Sequence, residues 1–277
     1  MHEMSYVQAL APPPFVPTRE RPVRVRYRKL MADTRIMPHS HAWAQVAISA
    51  YGVLRLDVPT GTYIVPPSRA VWVPPGVVHA VTMVEDADLR TLYLYQPPGR
   101  CGPDVASDAQ EVWRQCRVLE ASDLLRALAR EMPTEPDDGP APGADALRRE
   151  KHLSALILDE LRRANPVKLG VDLPQDKRLR MLCEAVIADP TRHETLADWA
   201  HNTGASPRTV ARLFRTELGS TFTQWRQQVV LAKALSMAAS RMPMGQIAAE
   251  LGYSPSAFSA MVRKSVGQSP ARFFGSL

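Results

Sequence analysis

The chain has 277 residues, 45% of them hydrophobic and 22% charged, with a net charge of +6, the balance of a globular protein in one large or two ordinary domains. No apolar run approaches the roughly 18 residues of a membrane span, Met1 to Ala11 is too short and mixed for a signal core, and three cysteines are too few for a disulfide framework. A cytoplasmic protein is the expectation on these grounds, rather than a secreted, disulfide-stapled or membrane one.

Residues 1–22, with Pro12-Pro13-Pro14, are expected to be a flexible N-terminus. From Val23 to about Tyr95 the chain reads as strands. Val23-Arg24-Val25-Arg26-Tyr27 alternates apolar and charged with period two, and Val53 to Val58 does so in part. Turn residues recur at Ala50-Tyr51-Gly52, Pro59-Thr60-Gly61, Pro66-Pro67 and Pro74-Pro75-Gly76. Many short strands punctuated this way favour an antiparallel barrel or sandwich, and Gln115 to Leu119 adds one more strand. Helices then take over. Ser122 is a natural N-cap ahead of Leu124, Leu125, Leu128 and Ala129. Pro133 to Ala144 is rich in Pro, Gly and Asp and reads as a linker. Ala146 to Arg163 returns to helix with a leucine stripe, ending near Asn165-Pro166.

The charge is unevenly placed. Lys177 to Leu277 carries 13 Lys/Arg and 6 Asp/Glu, a net of +7 against +6 for the whole chain. The positive excess therefore sits in the last hundred residues, which points that half at a polyanion. Two segments there share one pattern. Leu196 to Ala200, a turn through Thr203-Gly204-Ala205, and a helix opened by Ser206-Pro207 make the first; Ile247 to Leu251, Gly252-Tyr253 and a helix after Ser254-Pro255 make the second. A serine accepts orphan backbone N–H groups and proline suits the first helical position, while glycine allows the left-handed turn between two crossing helices. On the first recognition helix Val210, Leu213 and Phe214 share one face. Arg208, Ala211, Arg212 and Arg215 share another, free to enter a major groove. Between the units, Phe222 to Ala239 carries Trp225, Val229, Ala232 and Leu235 at helical spacing. Such a helix spans roughly 27 Å, against about 34 Å between successive major-groove faces of B-DNA.

These residues resemble the DNA-binding domain of the AraC/XylS family of bacterial transcription regulators. The resemblance rests on Leu196-Ala197, Gly204, Ser206, Arg208, Val210, Arg212, Phe214, Gly219, Phe222, Trp225, Ala232, Leu235, Ile247-Ala248, Gly252-Tyr253, Phe258-Ser259, Gly267, Ser269-Pro270 and Phe273. It implies DNA-binding residues at Ser206, Arg208, Thr209, Ala211, Arg212 and Arg215 in the first unit, and at Ser256, Ser259, Ala260, Arg263 and Lys264 in the second. The chain departs from the family at Val230, where an arginine is usual, at Ala260 and at Val262, and the turn after Gly252 is one residue short. The second unit is therefore expected to read bases weakly and to act through phosphate contacts from Arg263 and Lys264.

In the first half, Pro38-His39-Ser40-His41 with Gln45, and later Pro74-Pro75-Gly76 with His79, resemble the two motifs of the cupin barrel, with Gln45 where that family has a glutamate. In a strand, residues 39, 41, 43 and 45 project to one face, and barrel closure would bring His79 beside them. Three roles are open to His39, His41, Gln45 and His79: ligands of a divalent metal, polar groups of an effector pocket, or satisfied polar residues within the barrel. The combination resembles a branch of the AraC-type regulators in which a cupin sensor precedes the helix-turn-helix units.

The expected fold class is thus α+β in two domains: an N-terminal antiparallel, cupin-like jelly-roll barrel with helices, then an all-α domain with two helix-turn-helix units. The expected boundaries are 1–22, a sensor over 23–132, a linker and dimerisation helix over 133–173, and the DNA-binding domain over 174–277. The expected function is sequence-specific transcription regulation governed by a small molecule or metal, without enzymatic activity. Promoter DNA, RNA polymerase and a second copy of the chain are the expected partners, with no membrane, and a divalent metal is the one cofactor suggested. The rival is a cupin metalloenzyme, a dioxygenase or isomerase with a helical appendage, and Gln45 in place of a carboxylate counts against it.

Overall fold

The computed structural model describes residues 5–8, 14–67, 69–84, 86–167, 170–191, 195–202, 206–239, 242–267 and 269–274. The chain splits into two compact units, Met1–Val58 with Val65–Lys168, and Pro59–Ile64 with Leu169–Leu277. The Gly204 turn expected from the sequence lies outside the described residues.

Twelve strands are described: β1 (Ser5–Val7), β2 (Val23–Leu30), β3 (Thr34–His39), β4 (Ala44–Ser49), β5 (Leu54–Val58), β6 (Gly61–Val65), β7 (Arg69–Val73), β8 (His79–Met83), β9 (Ala87–Leu94), β10 (Arg117–Glu120), β11 (Pro166–Val167) and β12 (Gly170–Asp172). In the first unit β1-β3-β8-β5 lie side by side, and β11-β10-β7-β4-β9-β2 form the second sheet. Neighbours run antiparallel except β1 beside β3. The strands make two sheets rather than one closed cylinder, the layered form of the antiparallel architecture that short, turn-punctuated strands require. Within the span expected to be flexible, Ser5–Val7 is a strand and Phe15 is buried.

The second sheet is covered on both faces: its strands β4 and β7 are buried at every position. Val23, Val25, Val46, Trp72, Leu92 and Leu94 pack with α1 (Asp123–Glu131) and α2 (Ala144–Arg163). Ser122 caps α1 by accepting the Leu125 N–H at 2.9 Å. Leu153, Ile157 and Leu161 of α2 are buried against this sheet, while Leu147 and Leu156 stay exposed. The Trp72 indole N–H donates to the Trp113 carbonyl at 2.8 Å, so the largest buried side chain leaves no polar atom unmet.

The period-two pattern of β2 separates apolar from charged residues, yet it does not send every arginine to water. Arg24 is 1% exposed and Glu150 of α2 is 3% exposed, 3.6 Å apart. Arg21 grips the same carboxylate with two bonds, Nε to Oε1 at 3.0 Å and Nη2 to Oε2 at 2.8 Å. Arg24 also donates to Asp137 at 2.6 Å and to the Glu135 carbonyl at 3.0 Å. The Pro/Gly-rich segment read as a linker is therefore pinned to β2 by charge.

In the second unit α3 (Lys177–Ala188), α4 (Leu196–Asn202), α5 (Pro207–Leu218) and α6 (Phe222–Ala239) surround a core of Trp199, Val210, Phe214, Phe222 and Trp225. The Phe214 ring lies 5.5 Å from Phe222 and 5.7 Å from Trp225. Strand β12 pairs with β6, and Trp225 Nε1 donates to the Asp172 carbonyl at 2.8 Å, so the start of this unit is β-paired and not a bare linker. The chain continues with α7 (Met244–Glu250), α8 (Pro255–Val266) and α9 (Pro270–Phe274). No described helix is long and apolar enough to cross a membrane.

Removing one partner of a buried ion pair leaves the other charge desolvated, at about 3–5 kcal/mol. Glu150→Ala is therefore expected to destabilise the first unit by about 3 kcal/mol in urea unfolding of the full chain. A loss below about 0.5 kcal/mol, the value typical of an exposed pair, would contradict this.

Candidate functional site

The two recognition helices start by one device. Ser206 (φ −68°, ψ 150°) accepts the Thr209 N–H and precedes Pro207; Ser254 (φ −68°, ψ 152°) accepts the Ala257 N–H and precedes Pro255. Both helices end in a left-handed glycine, Gly219 and Gly267. Val210 and Phe214 are buried in the first, and Phe258, Met261 and Val262 in the second. The intervening helix begins with a reciprocal cap: Thr221 N donates to Gln224 Oε1 at 3.0 Å and Gln224 N to Thr221 Oγ1 at 3.2 Å. In the second unit the turn is visible: Tyr253 N donates to the Ala248 carbonyl at 2.8 Å and Gly252 has φ +73°, a backbone that L side chains adopt only under strain.

The apolar faces fix which residues face outward. Arg208, Arg212 and Arg215 are exposed on α5, with Ser206 ahead of it and Thr209 and Ala211 half-buried; Ser256, Ala260, Arg263 and Lys264 are exposed on α8, with Ser259 half-buried. Among the described residues, none of these five cations has a recorded carboxylate partner. Val230, where the resemblance led one to expect an arginine, is fully buried, so it is core here. A cavity of about 410 Å³ lies beside α5, lined by Arg215, Thr223, Arg226, Gln227 and Tyr253 among others. Thr223 and Gln227 carry no signal in the sequence, because apolar spacing marks a helix's buried face and says little about its rim.

In the first unit the structure brings His39, His41 and His79 together: one ring nitrogen from each lies within 4.8 Å of the other two. Pro38 lacks a ladder N–H, and the β3–β8 register shifts between Ile36 and His39, which sets His39 opposite His79. The turn holding Gly76 returns to the same place, its N–H donating to the His41 carbonyl at 2.9 Å. Each ring is oriented by a main-chain carbonyl two residues away: Nδ1 of His39, His41 and His79 lies 2.8, 2.7 and 2.9 Å from the oxygens of Met37, Trp43 and Val77. An Nδ1–H spent on a carbonyl leaves Nε2 as an unprotonated lone pair. Burial lowers the pKa of all three imidazoles, His79 down to about 3, so all are neutral at pH 7, the form that ligates metal.

His79 Nε2 is buried with no hydrogen-bond partner, and His41 Nε2 lies 3.1 Å from Gln45 Oε1. With the Nδ1 proton of His41 committed to Trp43, Gln45 satisfies that nitrogen only by presenting its amide N–H₂. Three neutral imidazoles converging on one point, one of them orphaned, fit a borderline divalent cation. When bound, such an ion would tie β3 to β8 and offer a further coordination position, to Gln45 or to a ligand. Trp43 stacks on His41 at 5.3 Å, and Tyr93 meets both rings edge-on.

Sequence reasoning missed Arg28 here. It sits on the charged side of β2, and burial pushes its pKa down to about 10. The guanidinium lowers the pKa of His39 and interacts with Tyr93. The alternation of β2 could have found it only if both faces of that sheet were known to be covered.

Residues 22–157 match the family described as AraC-like ligand binding domain, and residues 199–276 match a helix-turn-helix domain family. The chain is 29% identical to the HTH-type transcriptional regulator NimR of Escherichia coli (strain K12) over 86% of its own length and 82% of that protein. It is 30% identical to the arabinose operon regulatory protein of Salmonella typhimurium over 46% of its length and 47% of that protein. Among solved structures it resembles ToxT of Vibrio cholerae, at 10% identity and a TM-score of 0.37, covering 92% of this chain and 99% of that one.

A histidine kept neutral in the folded chain binds protons more readily once unfolded, so its stabilisation is complete above about pH 6.5 and is lost as the pH falls towards the folded value. Metal-free chain is therefore expected to lose stability between pH 6.5 and 5, by up to about 1.4 kcal/mol per pH unit from His79 alone. His79→Gln should flatten that slope in urea melts. Equal slopes for the variant and the wild type would contradict the assignment.

Proposed function

Because the chain belongs to the AraC family of DNA-binding transcription regulators and carries an AraC-like ligand-binding domain, we propose that α5 reads promoter sequence while α8 mainly anchors. On α5, Arg208 and Arg212 offer bidentate donors to guanine, Thr209 and Ala211 line the same edge, and Ser206 and Arg215 reach phosphate. On α8, Ser256, Ser259 and Ala260 are too short for a bidentate contact, so Arg263 and Lys264 supply phosphate contacts that set register without reading bases. The observation carrying this reading is the repeated Ser-Pro-capped helix whose outward face holds cations without recorded acid partners.

The sensor is assigned to residues 23–132, with His39, His41, Gln45 and His79 receiving a small molecule or a divalent metal. Residues 133–173 join it to a DNA-binding domain over 174–277. A bound effector regulates only if its affinity differs between two arrangements of the chain. No enzymatic turnover is assigned: Gln45 supplies an amide where metalloenzyme chemistry would use a carboxylate, and the relatives above are regulators. RNA polymerase and a second copy of the chain are proposed as protein partners on the family reading alone.

Selection of bound duplexes from random DNA by the full chain should return a defined site, with affinity falling steeply with salt as phosphate contacts release counterions. Arg212→Ala should lose about 1–3 kcal/mol of discrimination at one base pair with an unchanged melting temperature. Arg263→Ala should weaken all duplexes alike. Wild-type selectivity in Arg212→Ala would remove the reading role from α5.

A further inference from the structure

Away from the histidines, the first unit carries a second concave site. A cavity of about 480 Å³ lies against α2, lined by Arg19, Pro22, Tyr95, Arg100, Gln110 and Leu158 among others. It shares no lining residue with the His39–His41–His79 cluster. The loop after β9 builds this cavity and holds its shape by its own bonds. Tyr95 N donates to the Pro22 carbonyl at 2.9 Å, Gly102 N to Gln96 Oε1 at 2.8 Å, and Arg100 Nη2 to the Val105 carbonyl at 2.7 Å. Gly102 has φ +130°, and a Cβ there would lie 2.7 Å from Val105 Cγ2, so only glycine permits this fold of the loop. From the other side, Arg162 of α2 donates to the Asp104 carbonyl at 3.2 Å and pairs with its carboxylate at 3.7 Å. The cavity is therefore preformed, and its size falls within the roughly 300–1,000 Å³ of small-molecule pockets.

Its chemistry is one-sided. Pro22, Pro97, Pro98, Val105 and Leu158 supply apolar wall, and Tyr95 adds a ring. Among the polar lining groups, donors are left over. Arg19 is exposed, and its guanidinium has no hydrogen-bond or carboxylate partner among the described residues. Gln110 is 6% exposed; its Oε1 takes the Cys101 N–H at 3.1 Å, and its Nε2 hydrogens have no acceptor among the described residues. Asp104, the acidic residue of the lining, is already answered by Arg162. Spare donors and positive charge around an apolar slot call for an acceptor-only, anionic head on an apolar body, and a flat ring is the body that stacks on tyrosine. We propose that this cavity is a second ligand site of the domain and that it takes an aromatic carboxylic acid, the carboxylate held at the mouth by Arg19 and the ring lying against Tyr95 and Leu158. The inference goes beyond the histidine reading and does not depend on it.

The test is calorimetric titration of the full chain with benzoate, 2-naphthoate and 4-phenylbutyrate, each beside its neutral amide, metal-free and zinc-loaded. At least one acid should bind saturably, while its amide binds about fivefold more weakly or worse, the scale of one ion pair at a protein surface. Arg19→Gln should weaken that acid about threefold or more, and Leu158→Trp, which fills the cavity, should abolish its binding. Zinc should leave the acid's affinity unchanged, because the site shares nothing with the histidines. Circular dichroism of both variants should match the wild type. Arg19→Gln alters an exposed side chain, so it decides the matter even where Leu158→Trp disturbs the fold. Overturning results are saturable binding of none of the three acids, equal binding of acid and amide, or wild-type acid affinity in Arg19→Gln. Acid binding that appears or disappears with zinc would place the ligand at the histidines and overturn the proposal as well.

Discussion

Three Nδ1 protons, each held by a main-chain carbonyl two residues from its own ring, fix the chemistry of the first unit. The bonds are short, 2.7–2.9 Å, and they decide the tautomer: every Nε2 becomes an acceptor. The strand geometry makes this arrangement possible. Pro38 interrupts the ladder, the register shifts, and His39 arrives opposite His79. A sheet with unbroken pairing would have alternated these side chains to opposite faces. Burial then keeps the rings neutral, so the centre accepts positive charge.

The second unit solves a different problem by duplication. Ser206-Pro207 and Ser254-Pro255 start two helices with nearly identical backbone angles, and each buries its apolar face at the same spacing. What differs is the outward chemistry. Arginines at 208 and 212 face out of the first helix, where serine and alanine stand at 256 and 260 of the second. The proposal that the two scaffolds differ in reading power rests on this difference, and the burial of Val230 makes that position of the connecting helix core.

Much of this was legible in the sequence, for identifiable reasons. Capped helices announce themselves locally, so Ser206, Ser254 and the span Phe222 to Ala239 could be placed from spacing alone. The His-x-His pattern was equally local, and only the approach of His79 required the fold. Tertiary features were not legible. Arg24 and Glu150 meet across more than a hundred residues, and nothing in the alternation of β2 says that its charged face is covered as well. The leucines of α2 read as a stripe of one purpose; Leu153, Ile157 and Leu161 cover their own sheet, while Leu147 and Leu156 stay exposed. The pairing of β12 with β6 joins a stretch read as linker to a hairpin far earlier in the chain, a contact that no window of sequence contains.

The central claim is that an event at the histidines changes how firmly the helical unit holds DNA. Its most direct measurement is the dissociation constant of the full chain for a selected duplex, with zinc and after chelation, in the wild type and in a His39→Ala, His79→Ala double variant. A coupling of typical size would change the wild-type constant about fivefold or more and leave the double variant indifferent to zinc. A wild-type constant that is the same with and without zinc would contradict the account.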